Sequence, residues 1–400
     1  MRAPAFWWRS PAQAGRVASF LMPFSHLYAF ATSRRMRRTG WHAPVPVLCC
    51  GNIGVGGAGK TPLVLDLAQR AIVRGHRPAF LSRGYGGRVG GGTRVNAQIH
   101  TARDVGDEPL LLSRIAPCYV GADRAVSARR AVADGADCLL MDDGFQNPTL
   151  HPDAALIVVD GQVGFGNGHV LPAGPLREPV RTGLARAAGV VVIGPDRMEV
   201  TSGVRDRLPC FHASLRQDTG SIPIDRPVVA FAGIGRPAKF FDGLAKNGIH
   251  PRACLGFADH HAYTVRDCHR LQALAEKWNA CLVTTEKDAV RLPAPFRQRV
   301  VTGLQAVDFG DVGHGDVGGG QVLSRLGGGQ AVFDQRVRQG LRQDAGIGGH
   351  FVIGQDIVQR RSKAGTDFGG VHVRMPFRGD GMVNRVAAFM PRRDMAIPRP

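Results

Sequence analysis

The chain has 400 residues, 44% of them hydrophobic, and carries a net charge of +19. This length gives room for two or three domains, and the apolar content excludes a chain too polar to build a core. A pI near 10.7 points to an acidic partner: nucleic acid, an anionic membrane or a phosphorylated substrate.

The charge is uneven. No Asp or Glu precedes Asp66, whereas Arg2, Arg9, Arg16, Arg34, Arg35, Arg37 and Arg38 do. These arginines are interleaved with Phe6, Trp7, Trp8, Phe20, Leu21, Phe24, Leu27, Tyr28 and Phe30. Such a mixture suits the boundary between lipid headgroups and acyl chains, and it would also serve a packing helix capped by a basic loop. Arg16, Pro23 and His26 interrupt it as a transmembrane span. No apolar run ending in a small-residue cleavage site marks it as a signal peptide.

Residues 44–50, PVPVLCC, read as a buried parallel strand. The glycine-rich stretch GNIGVGGAGKTP follows at 51–62, and 61–74 read as a helix ended by Gly75. Further strands are expected at 78–87, 138–144, 154–161 and 189–194, and a linker at 216–226. The strand-then-glycine pattern repeats at 227–235. Helices are expected over 236–248 and 265–280, and a last strand and turn over 281–292. Apolar strands alternating with helices predict an α/β fold of the P-loop kinase type, a largely parallel sheet flanked by helices. A second, smaller α/β domain and an N-terminal interfacial helix complete the expectation. The predicted domains are a basic, aromatic membrane-associated segment at 1–40, a nucleotide-binding domain at 41–225 and a second α/β domain at 226–302. Residues 303–400 are rich in glycine and lack Glu, Cys, Trp and Tyr. They read either as a disordered extension or as the product of a shifted reading frame.

Gly54, Val55, Gly56, Gly57, Ala58, Gly59, Lys60 and Thr61 match G-x-x-x-x-G-K-[ST] in full, between a strand and a helix. Glycines let backbone N–H groups curl around phosphate oxygens, and the helix N-terminus adds a partial positive charge. Lys60 is expected on the β- and γ-phosphates of the nucleotide and Thr61 on Mg²⁺. Asp142 and Asp143, after a buried strand, are the candidates for holding that metal, and the sequence does not separate them. A guanine reader would need N/T-K-x-D. In TTEKDAV the spacer between Lys287 and Asp288 is missing, which leaves ATP. The eight cysteines form no C-x-x-C pair, which argues against zinc. Those within apolar runs read as small hydrophobes in a reducing cytoplasm.

The segments GNIGVGGAGKTP, LSRGYGG, VGDEPLLL, DDGFQ, LPAGPLREP, FAGIGRP, FADHHAY and TTEKDAVRL occur in this order. Together they closely resemble the tetraacyldisaccharide 4′-kinase family of lipid A synthesis, over roughly residues 1–300. The resemblance implies a peripheral enzyme on the cytoplasmic face of the inner membrane. It would use ATP and Mg²⁺ to phosphorylate the 4′-hydroxyl of a membrane-embedded acylated disaccharide 1-phosphate. That substrate and an anionic inner-membrane surface would be its partners, with no nucleic acid and no obligate protein partner. By motif, Asp107 of VGDEP is expected to accept the sugar proton with His260 of FADHHAY as its partner. His261 remains the alternative, and a helix cap is the plainer role for Asp107. Arg83, Arg177 and Glu178 are expected to meet substrate. A P-loop nucleotide switch or metal chaperone acting on a protein is the alternative function. The tail departs from the family pattern.

Overall fold

The computed structural model describes residues 3–9, 15–220, 222–223 and 225–309. From 310 onward, the tail expected at 303–400 lies outside the described residues. Among the described residues the helices are α1 (Gly15–Met36), α2 (Lys60–Val73), α3 (Ala102–Val105), α4 (Asp107–Leu112), α5 (Arg124–Ala133) and α6 (Val180–Leu184). They continue with α7 (Val200–Val204), α8 (Pro237–Lys246), α9 (Val265–Lys277), α10 (Glu286–Ala289) and α11 (Ala294–Arg297). The strands are β1 (Val47–Gly51), β2 (Pro78–Ser82), β3 (Thr93–Arg94), β4 (Cys118–Val120), β5 (Cys138–Asp142) and β6 (Ala154–Asp160). After them come β7 (Gly189–Ile193), β8 (Cys210–Asp218), β9 (Val228–Ala232), β10 (Ala253–Gly256), β11 (Cys281–Thr285) and β12 (Val300–Asp308).

The strands form one sheet in the order β10-β9-β11-β12-β8-β7-β6-β1-β5-β2-β4-β3. Every pairing is parallel except β12 with β8 and β3 with β4. The fully buried runs VLCCG, PAFLS, CLLMD and GVVVI need apolar side chains on both faces, because helices cover both. On one face Leu63, Val64 and Leu67 of α2 pack with Leu110, Leu111 and Leu112 of α4. On the other, Ala128 and Ala131 of α5 pack near Leu184, Val200 and Val204. The β9–β11 half repeats this arrangement, with Phe240 and Leu244 of α8 in one cluster and Leu271 of α9 in the other.

The two halves join through the antiparallel pair. The register runs from Leu304 opposite Asp218 to Asp308 opposite Ser214. This corrects two expected boundaries. The start of the expected linker at 216–226 is the end of β8, and β12 continues past residue 302. Each strand completes the other's backbone hydrogen bonds across a long gap in sequence, which local pattern does not reveal.

α1 runs unbroken through Pro23, yet it is turned inside out for a soluble protein. Small residues Ala18, Ser25 and Thr32, seven apart, face inward. Phe20 is 75% exposed and Leu27 67%, and Val17, Phe24 and Phe30 are also exposed. The Ser25 hydroxyl accepts from the Ala173 N–H at 3.0 Å, and the Trp7 indole donates to the Pro172 carbonyl at 3.1 Å. The LPAGPLREP segment is thus the dock for the N-terminal segment. No described helix is long and apolar enough to cross a membrane.

The turn after β1 depends on a missing side chain. A Cβ on Gly51 would lie 2.4 Å from the Cβ of Phe145, so the strand end and the DDGFQ turn fit only with glycine. Gly51→Ala should therefore cost about 1–3 kcal/mol of overpacking, read as a lower thermal midpoint by circular dichroism. An unchanged midpoint would contradict this packing.

Candidate active site

The phosphate loop lies between the carboxyl ends of β6 and β5, where open parallel sheets bind ligands. Gly56 and Gly59 have φ of +111° and +88°, values that favour glycine. A Cβ on Gly56 or Gly57 would meet nothing within 4 Å, so these glycines line open space. LPAGPLREP braces the loop from outside. The Val55 N–H donates to the Pro175 carbonyl at 2.8 Å, and the Arg177 N–H to the Ile53 carbonyl at 2.7 Å.

Lys60, first residue of α2, holds its ammonium 3.0 Å from Asn52 Oδ1 and 3.1 Å from Asp143 Oδ1. Asp143 sits at φ 52° and also takes Arg177 Nη1 at 3.1 Å. Burial would raise its carboxyl pKa, but Lys60 and Arg177 outweigh burial and hold it below the usual range. Asp142 behaves differently. Its Oδ2 accepts from the Thr61 hydroxyl at 3.2 Å, and its buried Oδ1 has no hydrogen-bond partner among the described residues. Burial first, then Glu108 and Asp143, push it up to about 7. An orphaned buried oxygen beside a threonine hydroxyl fits a hard cation such as Mg²⁺, which binds through one or two carboxylates plus phosphates. Of the two neighbouring carboxylates, Asp142 is the one beside Thr61.

Asp107 begins α4 after Gly106, whose φ is +90°. Its Oδ1 accepts from the Glu108 N–H at 3.0 Å. Its Oδ2 lies 3.1 Å from His260 Nδ1 and 3.2 Å from Arg291 Nε. Burial opposes its ionisation, but the His260 hydrogen bond and the cations of Lys287 and Arg291 win and hold it at about 2. The hydrogen bond His260 makes to the Asp107 carboxylate raises the imidazole above its ordinary 6.5, against burial. His261 turns away to Asp267 Oδ2 at 3.1 Å, so His260 is the partner. Glu108 receives Lys287 Nζ at 2.5 Å. Because Glu108 and Lys287 also act on the Asp142 charge, the Asp107 cluster and the phosphate loop form one electrostatic unit.

Asp288 ties the second-half loops together. It accepts from the Gly233 N–H at 2.8 Å, the Tyr263 hydroxyl at 2.7 Å and the Thr285 hydroxyl at 2.5 Å. One buried carboxylate thus joins FAGIGRP, FADHHAY and TTEKDAVRL, and holds the loop that carries His260.

Glu178, expected to meet substrate, is buried, with Arg186 Nη2 at 2.7 and 2.6 Å and Gln146 Nε2 at 2.9 Å. These contacts brace the loop that carries Arg177. Arg177 points instead to the phosphate-loop side, on Asp143 and Gln146 Oε1 at 3.3 Å. Arg83 is exposed just past β2. Sequence reasoning missed Asn52, Glu108, Gln146, Lys287 and Arg291, all within quoted motifs; for the last four the partners are distant in sequence, and Asn52 was hidden by the glycines and Lys60 beside it. It also missed buried Arg124, a positive charge acting on Asp142 and Asp143, which no motif announced.

Residues 17–309 match the LpxK family, described as tetraacyldisaccharide-1-P 4′-kinase. The chain is 56% identical over 301 residues to the tetraacyldisaccharide 4′-kinase of Gluconacetobacter diazotrophicus, covering 75% of this chain and 91% of that protein. It is 49% identical over 304 residues to that of Rhodospirillum centenum, covering 75% and 90%. The crystal structure of LpxK from Aquifex aeolicus in complex with ATP superposes with a TM-score of 0.59 at 25% identity, covering 78% of this chain and 98% of that one.

Two shifts define a pH window. Asp107, depressed from 3.8, adds stability above that value and loses it as pH falls toward about 2. His260, raised from 6.5, adds stability below that value and loses it as pH rises through its folded pKa. In an NMR titration His260 should therefore titrate above 6.5, and Asp107→Asn should bring it back toward that value. A His260 midpoint at or below 6.5 in the unmodified protein would contradict the pairing.

Proposed function

The chain belongs to the tetraacyldisaccharide-1-P 4′-kinase family, and we propose that its cleft performs the transfer with Asp107 and His260 as the proton-accepting pair. The reaction moves a phosphoryl group from ATP to the 4′-hydroxyl of tetraacyldisaccharide 1-phosphate. The observation that carries the proposal is the 3.1 Å contact of Asp107 with His260, electrostatically continuous with the phosphate loop.

The loop from Gly54 to Thr61 cradles the ATP phosphates with its N–H groups, and Lys60 moves its charge from Asn52 and Asp143 onto phosphate oxygens. Thr61 and Asp142 are the residues that would hold Mg²⁺. When bound, that ion supplies charge neutralisation on the phosphates. The sugar oxygen forms its bond to the γ-phosphorus as the bond from that phosphorus to ADP breaks. The hydroxyl proton leaves toward Asp107. A carboxylate held at about 2 is too weak a base to keep it, so it passes on to His260 in its neutral form, which becomes the imidazolium beside the Asp107 carboxylate. Arg291 holds the carboxylate still, and Arg177 and Arg83 are placed for the anionic groups of the substrate.

α1 supplies access to a substrate that lies in a bilayer. Its exposed Phe20, Phe24, Leu27 and Phe30 enter the acyl region of the inner membrane's cytoplasmic leaflet, and Arg34, Arg35, Arg37 and Arg38 meet lipid phosphates. Burying each large side chain contributes about 1.5–3 kcal/mol, enough for reversible peripheral attachment.

Asp107→Ala should lower kcat by roughly 10²–10⁴-fold while leaving ATP affinity unchanged, measured by single-turnover kinetics and calorimetry. A near-normal kcat would overturn the base assignment. Replacing Phe20, Phe24 and Leu27 together by Ser should lower co-sedimentation with anionic vesicles by more than about tenfold and raise the KM for the lipid alone. Unchanged vesicle binding would remove α1 from the account.

A further inference from the structure

The phosphate loop has a cross-half cluster on each side. On the β5 side Asp107, Glu108 and Arg114 meet His260, Lys287, Arg291 and Glu286. The other is at the end of β6 and plays no part in the transfer. There Asp160, whose side chain is 4% exposed, accepts from Lys239 Nζ at 2.6 Å and from the Arg236 guanidinium in a closer contact. Its Oδ1 also accepts from the Gln162 N–H at 3.1 Å. Arg236 is the N-cap of α8 and Lys239 lies in its first turn, so both cations belong to the second half. Their side chains are 42% and 38% exposed.

Position gives this contact its meaning. β6 pairs with β1 with Gly51 opposite Ile157, so Asp160, three residues on, lies past the end of β1, on the side where the phosphate loop leaves that strand. Four residues separate the end of β9 from α8, and the same β9 loop contributes the Gly233 carbonyl that receives the His260 N–H at 3.1 Å. Asp288 receives the Gly233 N–H from the other side. The segment from Gly233 to Lys239 therefore links Asp160 to the loop that presents His260. A buried carboxylate facing two cations keeps its position only while they stay. Separating the halves here would leave an uncompensated charge.

We propose that Asp160 is a positioning residue, a latch that fixes the start of α8 against the phosphate-loop half and thereby sets His260 on Asp107. This inference rests on the reading of Asp107 and His260 given above. The latch acts through the Gly233–Lys239 segment and touches neither substrate nor nucleotide chemistry.

The test compares Asp160→Asn, the pair Arg236→Gln and Lys239→Gln, and all three together, by kcat/KM for ATP and by NMR titration of His260. Asp160→Asn should lower kcat/KM by about tenfold and return the His260 midpoint toward 6.5, and Asp160→Glu should restore part of both. The Arg236/Lys239 pair should do the same, and the triple variant should be no worse than Asp160→Asn, since all three break one contact. The partly exposed cations keep the test available if Asp160→Asn fails to fold. Effects that add, or a His260 midpoint unmoved with kcat/KM within about twofold, overturn the latch. The unmodified protein separates the two readings. If its own His260 midpoint is not raised, the base pair fails. If it is raised and none of the variants moves it, only the latch fails.

Discussion

The arrangement depends on one carboxylate shared across a joint. Asp107 belongs to the half that carries the phosphate loop, and its oxygen is held by His260 and Arg291 of the other half. Burial alone would make this group neutral. The His260 hydrogen bond and the cations of Lys287 and Arg291 reverse that preference, so the buried carboxylate stays ionised through partners supplied by the other half. Lys287 on Glu108 adds a second crossing charge nearby. The interaction that joins the halves is thus also the one that ionises the carboxylate proposed as proton acceptor.

The second half is organised to present His260 rather than to bind nucleotide. Asp288 is buried and accepts from Gly233 after β9, Thr285 at the end of β11 and Tyr263 of the FADHHAY loop, with Arg291 also on it. A carboxylate so satisfied is rigid, and it fixes the β9 loop against which the strained His260 backbone, φ 55°, donates its N–H. Gly233 is needed there because a Cβ would lie 3.0 Å from the Ala258 carbonyl and 3.1 Å from Asp288. The conspicuous motifs of the second half are accordingly a support for one imidazole.

Much of this was legible in the sequence, for local reasons. Gly54 to Thr61 announce themselves because backbone exposure, cation and hydroxyl must follow at fixed spacing, and β1 and α2 flank them as expected. The parallel strands are legible because burial on both faces demands continuous apolar runs. What stayed hidden was non-local. Asp142 and Asp143 are neighbours with opposite surroundings, one beside Thr61 and one between Lys60 and Arg177, and only the fold separates them. His260 and His261 differ in the same way. The pairing of Glu178 with Arg186 was hidden because Arg186 lies outside the motif. The Lys287–Glu108 pair joins residues 179 apart, which no window of sequence displays. β8 and β12 were not legible as strands because each is completed by the other.

The central claim is that a phosphate-loop half and a histidine-bearing half close on ATP and pass its terminal phosphate to a sugar in a membrane. The most direct measurement incubates the protein with ATP labelled on the γ-phosphate, magnesium and vesicles containing the tetraacyldisaccharide 1-phosphate, then extracts the lipid. The account predicts label on the glycolipid, placed on the 4′-oxygen by mass spectrometry. Label released only as inorganic phosphate, with none in the lipid, would contradict it.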